Sequence, residues 1–241
     1  MRPITALFTT LMAFSLLAQD SGDEQSSAAP AQDERILLRS ILDGCGLKDA
    51  MVDDVAKIEN GRVVTLDLTN KDYTHEGLKE FPVGITQLTG LKGLILKDNS
   101  IGSIPPEIGN LVELRELNLA SNKIGSLPSA IGNLTKLEKM DIRYCGLSTF
   151  PAEFGNLKTL ESLQMWGNEF TSLPDCILEL SELKEIYLKN NQLTNLPAKI
   201  VTMPKLRYVD THLNKLCTLS PEVEKWLKER DKRYREYQNC N

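Results

Sequence analysis

Few residues of this 241-residue chain have side chains that could carry chemistry. It has two histidines, His75 and His212, and five cysteines, Cys45, Cys145, Cys176, Cys217 and Cys240. His212 lies two residues after Asp210, a spacing that would suit an acid–base pair. However, no Gly-x-Ser-x-Gly segment exposes a nucleophile, and the cysteines form neither a CxxC pair nor a Cys/His cluster. The sequence therefore predicts no catalytic residues, no metal site and no cofactor.

Composition places the chain among ordinary globular proteins. It is 41% hydrophobic and 25% charged, which excludes wholesale disorder, and its net charge of −5 provides no basic field for nucleic acid. Because aromatic residues make up only 6% while leucine is frequent, we expect a core of repeated aliphatic side chains.

The amino-terminal segment has the three parts of a secretory signal. Arg2 gives a positive start, residues 4–17 form an apolar run, and Ala18 is a small residue suited to cleavage. Residues 1–18 are therefore predicted to be a signal peptide, with an uncleaved anchor as the alternative. Residues 19–32 contain no large apolar side chain and are predicted to be a flexible acidic linker. We expect no membrane span in the mature chain, and a secreted, periplasmic or cell-surface location.

The middle of the chain is built from repeated blocks of equal length. Five consecutive blocks begin at Leu91, Leu114, Leu137, Leu160 and Leu183, and the second reads LRELNLASNKIGSLPSAIGNLTK. They follow the 23-residue pattern LxxLxLxxNxLxxLPxxIxxLxx, which resembles the leucine-rich repeat family in its Ras-suppressor and plant Ras-group-related subclass. The resemblance implies an α/β fold, a curved horseshoe-shaped solenoid with a parallel β-sheet on its concave face. Residues 62–216 would form about seven repeats, five of them regular.

Two kinds of position in the block predict how it folds. The apolar residues at the fourth and sixth positions alternate with polar ones, so they should face inward from a short strand. The ninth position carries asparagine in four blocks, where its amide can satisfy backbone groups of the following turn (Asn99, Asn122, Asn168, Asn191). Cys145 takes that position in the third block, and we expect it to be an inert buried thiol.

Segments flanking the repeats predict helical caps at both ends. Residues 33–61 contain two apolar sets at helical spacing, which predicts two short helices before a turn at Asn60-Gly61. Residues 217–241 begin with Ser220-Pro221-Glu222, a typical helix start, followed by one apolar helical face.

The cysteines around the second cap have a counterpart in the family. Cys217 and Cys240 resemble the pair that closes the carboxy-terminal cap of exported repeat proteins, and the resemblance implies a disulfide between them. Two free thiols are the alternative, because sequence alone does not fix connectivity. We expect Cys45 and Cys176 to remain unpaired.

The strand positions that point away from the core are available for binding. Charges of both signs mix over them, whereas aromatic side chains gather toward the carboxyl end. The predicted binding residues on the concave face are Arg143, Tyr144, Trp166, Tyr187, Lys189, Tyr208, Asp210 and His212. Exposed Trp and Tyr beside Arg are typical of protein interfaces. Alternatively, these rings pack only on one another and on the stems of long charged side chains.

These observations predict a non-catalytic, monomeric, exported scaffold that binds a protein through its concave face. Glycan binding through the aromatic patch is the alternative ligand class. A structural envelope or spacer protein is the alternative that needs no ligand. Nucleic acid is not expected as a partner.

Overall fold

A computed structural model describes residues 34–70, 77–232, 234, 235 and 238–240 of the chain. The predicted signal peptide and linker lie outside the described residues, and so does His75.

An eight-stranded sheet runs through the described part of the chain, with the strands in chain order. They are β1 (Ala56–Glu59), β2 (Arg62–Asp67), β3 (Gly93–Ile95), β4 (Glu116–Asn118), β5 (Lys139–Asp141), β6 (Ser162–Gln164), β7 (Glu185–Tyr187) and β8 (Tyr208–Asp210). β1 and β2 are antiparallel, whereas β2 through β8 form the predicted parallel sheet. Equivalent residues of successive blocks pair across it, as Leu94 pairs with Leu117 and Leu117 with Met140. The 23-residue period of the sequence therefore sets the register in which neighbouring strands pair.

Short 3-10 helices lie behind the sheet, one for each strand from β2 to β7. They span Val83–Gln87, Pro106–Asn110, Ser129–Asn133, Ala152–Asn156, Asp175–Glu179 and Ala198–Thr202. Pro128 immediately precedes one of them in extended backbone, as the repeat pattern requires. Ile131 of that helix is completely buried and closes the core opposite Leu117 and Leu119, which are also completely buried.

Asparagine side chains tie each repeat to the one before it. The Asn122 amide donates to the Leu119 carbonyl of its own repeat at 2.8 Å and to the Leu96 carbonyl of the preceding repeat at 2.9 Å. Its oxygen accepts the N–H of Ile101 at 2.9 Å. The same three-way bonding recurs at Asn99, Asn168, Asn191 and Asn214. These bonds confirm the role predicted for the ninth position.

Cys145 takes over part of this bonding in the third block. Its thiol is completely buried and lies 3.2 Å from the Leu119 carbonyl. Burial raises the pKa of the thiol to about 12, so it stays protonated at physiological pH. The prediction that this cysteine is buried is confirmed.

A left-handed backbone conformation recurs just before each ninth position. The φ angles there lie between 52° and 70°, at Asp98, Ser121, Tyr144, Gly167, Asn190 and Leu213. Gly, Asn, Asp and Ser suit such a turn, whereas bulky side chains rarely adopt it. Tyr144 and Leu213 are therefore the strained members of this series.

The amino-terminal end has the two predicted short helices and, in addition, a strand that was not predicted. Helix α1 (Glu34–Gly44) is present, but α2 (Val52–Val55) is a single turn that leads directly into β1. The second apolar set fits helical spacing, yet Asn60 and Gly61 adopt φ angles of 51° and 76°. This turn folds the segment back as a hairpin on β2, which adds an eighth strand to the seven predicted.

Helix α3 (Pro221–Arg230) covers the last repeat as predicted. The Ser220 hydroxyl accepts the N–H of Val223 at its amino end, and Pro221 occupies the first turn. Val223, Trp226 and Leu227 are buried against the core. A disulfide joins Cys217 to Cys240, with their Cα atoms 5.6 Å apart.

Within the residues described, none of the helices combines the length and the apolar character that crossing a bilayer would require.

Candidate functional site

The short strands determine which side chains reach the concave face. In β7, Ile186 at the middle position is buried, while Glu185 and Tyr187 on either side point away from the core. In β8, Val209 is buried between Tyr208 and Asp210 in the same way. The other predicted binding residues follow the strands by two or three positions.

The first group on this face is the Trp166 cluster, made of Asp141, Arg143, Tyr144 and Trp166. Arg143 donates two bonds to the Asp141 carboxylate, from Nε and Nη2, each 2.8 Å long. The guanidinium lies 4.9 Å from the centre of the Trp166 ring. The Tyr144 ring meets Trp166 edge-on, with centroids 4.7 Å apart and planes at 71°. A cation–π contact and an aromatic pair thus hold the cluster together.

Tyr144 stands out within this cluster because of its backbone. It has a φ of 52°, and its side chain remains 48% exposed. Its ring lies against Gly167, where an added Cβ would meet the ring atoms Cδ1 and Cε1 at 2.4 Å. Glycine at position 167 therefore provides the space that the tyrosine ring occupies.

The second group is the Tyr208 cluster, made of Glu185, Tyr187 and Tyr208. The two tyrosine rings are 5.1 Å apart between centroids, and the Tyr187 hydroxyl donates to Glu185 at 3.2 Å. Burial, followed by the negative charge of Glu185, raises the pKa of Tyr187. Tyr208 is 43% exposed. Lys189, which follows β7 by two positions, is exposed as well.

The third group is the His212 cluster, made of Asp210, His212 and Asp231. The Nδ1 atom of His212 lies 3.0 Å from Oδ1 of Asp210, and Nε2 lies 3.6 Å from Oδ1 of Asp231. Asp231 follows α3, so the cluster joins the last strand to the carboxy-terminal cap.

All eight predicted binding residues therefore lie on the carboxyl half of the sheet, seven of them within these three groups and Lys189 just after β7. Sequence reasoning did not single out Asp141, Glu185 or Asp231, which anchor Arg143, Tyr187 and His212. The two-residue spacing of Asp141 and Arg143 matches that of Asp210 and His212 and could have identified the first of these. Asp231 has no such local signal, because the fold brings it in from the cap.

A cavity of about 680 Å³ lies far from these residues, at the amino-terminal end of the repeats. It is lined by Leu37 and Ile41 of α1, by Cys45, and by Phe81 and Gln87 of the first repeat. Cys45 is half-buried there, and burial raises its thiol pKa. None of the predicted concave-face residues contributes to this cavity.

Comparison with known proteins identifies the family. A model described as a leucine-rich repeat region matches residues 39–167, more than half of the chain, and a second leucine-rich repeat model matches residues 158–216. The chain belongs to the leucine-rich repeat family. This confirms the resemblance to leucine-rich repeat proteins that the repeated blocks indicate. No curated protein sequence matches the chain significantly.

Solved leucine-rich repeat structures resemble the chain over most of its repeats. A leucine-rich repeat protein of Leptospira interrogans is 35% identical with a TM-score of 0.51, covering 64% of this chain and 45% of its own. The ectodomain of the Arabidopsis thaliana membrane receptor kinase GASSHO1/SCHENGEN3, solved in complex with Casparian strip integrity factor 2, is 37% identical. Its TM-score is 0.57, and the match covers 68% of this chain and 20% of the ectodomain.

A plant ice-binding protein shares the fold alone. It is 24% identical with a TM-score of 0.65, and the match covers 78% of this chain and 64% of that protein.

The chain spans less than two thirds of the length of each of these three structures. The leucine-rich repeat fold supports a role as an interaction scaffold.

Proposed function

We propose that this leucine-rich repeat protein is an exported, non-catalytic scaffold that binds a protein partner through the carboxyl half of its concave face. Arg143, Tyr144, Trp166, Tyr187, Lys189, Tyr208, Asp210 and His212 form the contact surface, with the Trp166 cluster as its anchor. The chain acts as a monomer.

The observation that carries the proposal is the conformation of Tyr144. Other repeats place Asp98, Ser121, Gly167 and Asn190 at this left-handed position, and the one other bulky residue there, Leu213 of the last repeat, is half-buried. A bulky side chain there costs roughly 1–2 kcal/mol. About half of the Tyr144 side chain is exposed, so burial in the core does not offset this cost fully. Binding a partner explains why a strained, exposed aromatic residue occupies this position.

The arrangement of Trp166 favours a protein over a glycan. Stacking on a sugar requires an open aromatic face, but the Arg143 guanidinium lies over the indole and Tyr144 packs against it. Tyr, Trp and Arg in contact are the residue types that dominate protein-binding energies. The GASSHO1/SCHENGEN3 ectodomain, which resembles this chain, was solved with a bound factor, and this also supports the proposal.

Affinity enrichment with matched variants tests the proposal. The mature protein, Tyr144→Asn and Ser121→Asn are each immobilised and exposed to extracellular proteins of the source organism, and retained proteins are quantified by mass spectrometry. Ser121→Asn changes the equivalent left-handed residue of an earlier repeat and should retain the same partner as the unmodified protein. Tyr144→Asn should reduce retention about tenfold or more, the loss expected when a hot-spot aromatic is removed. Equal retention by both variants would reject the Trp166 cluster as the anchor.

Two further variants separate the ligand classes. Lys189→Glu should weaken a protein partner steered by charge, whereas Trp166→Ala should abolish retention on a polysaccharide if the ligand is a glycan. A spacer would be insensitive to both substitutions but sensitive to removal of residues 19–32.

Export is supported by the disulfide, because such bonds persist in oxidising compartments. The test is the intact mass of the mature protein with and without reduction, together with peptide mapping after thiol alkylation. A mature chain starting near Gln19 or Asp20, with Cys217 and Cys240 protected, is expected. A chain beginning at Met1 with five alkylated thiols would contradict export.

A further inference from the structure

The carboxy-terminal end of the repeat stack needs a substitute for the hydrogen bonds that a following repeat would make. Within the stack, the asparagine at the ninth position of one block bonds two backbone groups of the preceding block. Asn122 does so with the carbonyl of Leu96, three residues before Asn99, and with the N–H of Ile101, two residues after it. Asn214 belongs to the last repeat, and no further block of the pattern follows it.

Gln238 makes the two missing bonds at this end. Its Oε1 atom accepts the N–H of Leu216, two residues after Asn214, at 3.0 Å. Its Nε2 atom donates to the carbonyl of Thr211, three residues before Asn214, at 2.9 Å. Nε2 also donates to the Tyr234 carbonyl of its own segment, as the ninth-position asparagines do within their own repeats. The Gln238 amide therefore replaces the asparagine of a further repeat.

Hydrogen bonds alone hold this segment loosely. Besides the two bonds that Gln238 makes to the last repeat, the Asn239 N–H donates to the Asn214 carbonyl at 2.7 Å. Gln238 is half-buried and Asn239 is exposed, so water competes for these bonds. Exposed backbone segments held in this way open at little cost in free energy. A covalent link is therefore needed to keep the segment closed on the last repeat.

The disulfide provides this link on both sides of the contact. Cys217 directly follows Leu216, and Cys240 lies two residues after Gln238, so the bond joins the repeat to the segment next to their hydrogen bond. Both cysteines are exposed. Thiols and disulfides of other molecules can therefore reach them, and exposed disulfides are the kind that exchange readily.

We propose that residues 238–240 form a redox-controlled latch on the last repeat. While the disulfide is closed, Gln238 occupies the place of the missing asparagine. When the disulfide is reduced, the segment leaves, and the two backbone groups that Gln238 bonded become exposed to water. Closure removes two protons and two electrons from the thiols of Cys217 and Cys240, and a disulfide-bearing oxidant accepts them and becomes a dithiol. Opening by a dithiol is the reverse exchange.

The latch adjoins the carboxyl end of the concave face. Thr211 lies between Asp210 and His212, and its N–H and hydroxyl donate to Asp231 of the cap, while its carbonyl accepts from Gln238. Opening the latch therefore removes one of the contacts that order this end of the sheet. The latch operates whether or not the concave face binds a protein.

Residue-resolved amide hydrogen exchange of the isotope-labelled mature protein tests the latch. The amide of Leu216 reports on the bond to Gln238, and the amide of Ile101 is the control, because it makes the equivalent bond to Asn122 within the stack. Dithiothreitol should reduce the protection of Leu216 at least about tenfold more than the protection of Ile101. The double substitution Cys217→Ser with Cys240→Ser should show the same difference without reductant.

Matched glutamine variants assign the protection to Gln238. Gln238→Ala should lower the protection of Leu216 relative to that of Ile101 even with the disulfide closed, because the N–H loses its acceptor. Gln192→Ala changes an exposed glutamine in the turn of an earlier repeat and should leave this ratio as in the unmodified protein. Far-UV circular dichroism confirms that each variant is folded.

Three outcomes would overturn the proposal. Equal protection of Leu216 in the oxidised and reduced protein would mean that the segment stays closed without the disulfide. An equal loss of protection at Leu216 and Ile101 would mean that reduction weakens the whole stack and opens no latch. Unchanged protection of Leu216 in folded Gln238→Ala would assign this protection to another group.

Discussion

The ring of Tyr144 occupies the space above Gly167 that any side chain at position 167 would need. A Cβ added there would meet the ring at 2.4 Å, and the φ of Gly167 is 70°. The glycine therefore serves two purposes, because it allows the turn and seats the aromatic ring of the preceding repeat. This relationship gives the candidate binding surface a structural support outside its own contact residues.

Gly167→Ala should reduce both stability and partner binding. A left-handed alanine costs roughly 1–2 kcal/mol, and displacing the tyrosine ring adds about 1–3 kcal/mol of overpacking. Urea denaturation measures the change in unfolding free energy, and the affinity enrichment described above measures binding. Gly146→Ala is the matched control, since Gly146 has a φ of 69° and open space around its Cβ position. If both variants lost the same stability and bound the partner equally, the contact between the Tyr144 ring and Gly167 would not contribute to binding.

Asn122→Ala should destabilise the repeat stack by about 2–4 kcal/mol. It leaves the buried N–H of Ile101 without a partner, which costs about 1–3 kcal/mol before relaxation. It also removes one of the two donors of the Leu96 and Leu119 carbonyls, which keep the bonds from Asn99 and Cys145. Thermal and urea unfolding of the purified variant measure this loss. Asn118→Ala serves as the control, because half-buried Asn118 accepts only the N–H of Ala120 at the sheet surface and should lose less than about 1 kcal/mol. If both variants lost the same unfolding free energy, the buried hydrogen bonds of Asn122 would contribute no more to stability than the surface bond of Asn118.

Removing the disulfide should lower stability by roughly 3 kcal/mol, through the entropy of the loop that it closes in the unfolded chain. The comparison is between the unmodified protein and the double substitution Cys217→Ser with Cys240→Ser, both unfolded in urea. Adding a reductant should destabilise only the unmodified protein. An equally large effect of reductant on the double variant would assign the loss to another cause.

The three free cysteines should differ in their alkylation. Burial raises the pKa of Cys45 and of Cys176, so at neutral pH each holds less thiolate than an ordinary cysteine. Their alkylation rates should therefore be slow and rise about tenfold per pH unit below the pKa. Cys145, with a pKa of about 12 and no exposed surface, should react only in denaturant. Peptide mapping over a time course checks all three, and rapid native labelling of Cys145 would contradict its buried position.

The repeats could be predicted in detail because the period of the blocks fixes strand, turn and register together. β1 was missed for a physical reason. Val52, Val55 and Ile58 are spaced so that they fit one helical face, and only the paired left-handed residues Asn60 and Gly61 turn the segment into a hairpin. Local spacing alone does not distinguish the two structures.

The candidate binding surface could likewise be predicted only in part. Strand periodicity identified the residues that face the concave side, including Trp166 and Tyr187. It could not show that Arg143 is held by Asp141 over the indole, since that arrangement depends on side-chain packing between repeats. It also gave no indication of Asp231, which is distant from His212 in sequence and reaches it only because α3 folds back.

The hydrogen bonds of the asparagines at the ninth position have a consequence for how the protein unfolds. Each amide bonds its own repeat and the preceding one, so a single repeat cannot detach without stripping hydrogen bonds from a neighbour that remains folded. Coupling of this kind makes interfaces between repeats strong relative to the repeats themselves. The stack should therefore melt cooperatively as one block, although its contacts are all between neighbours along a line.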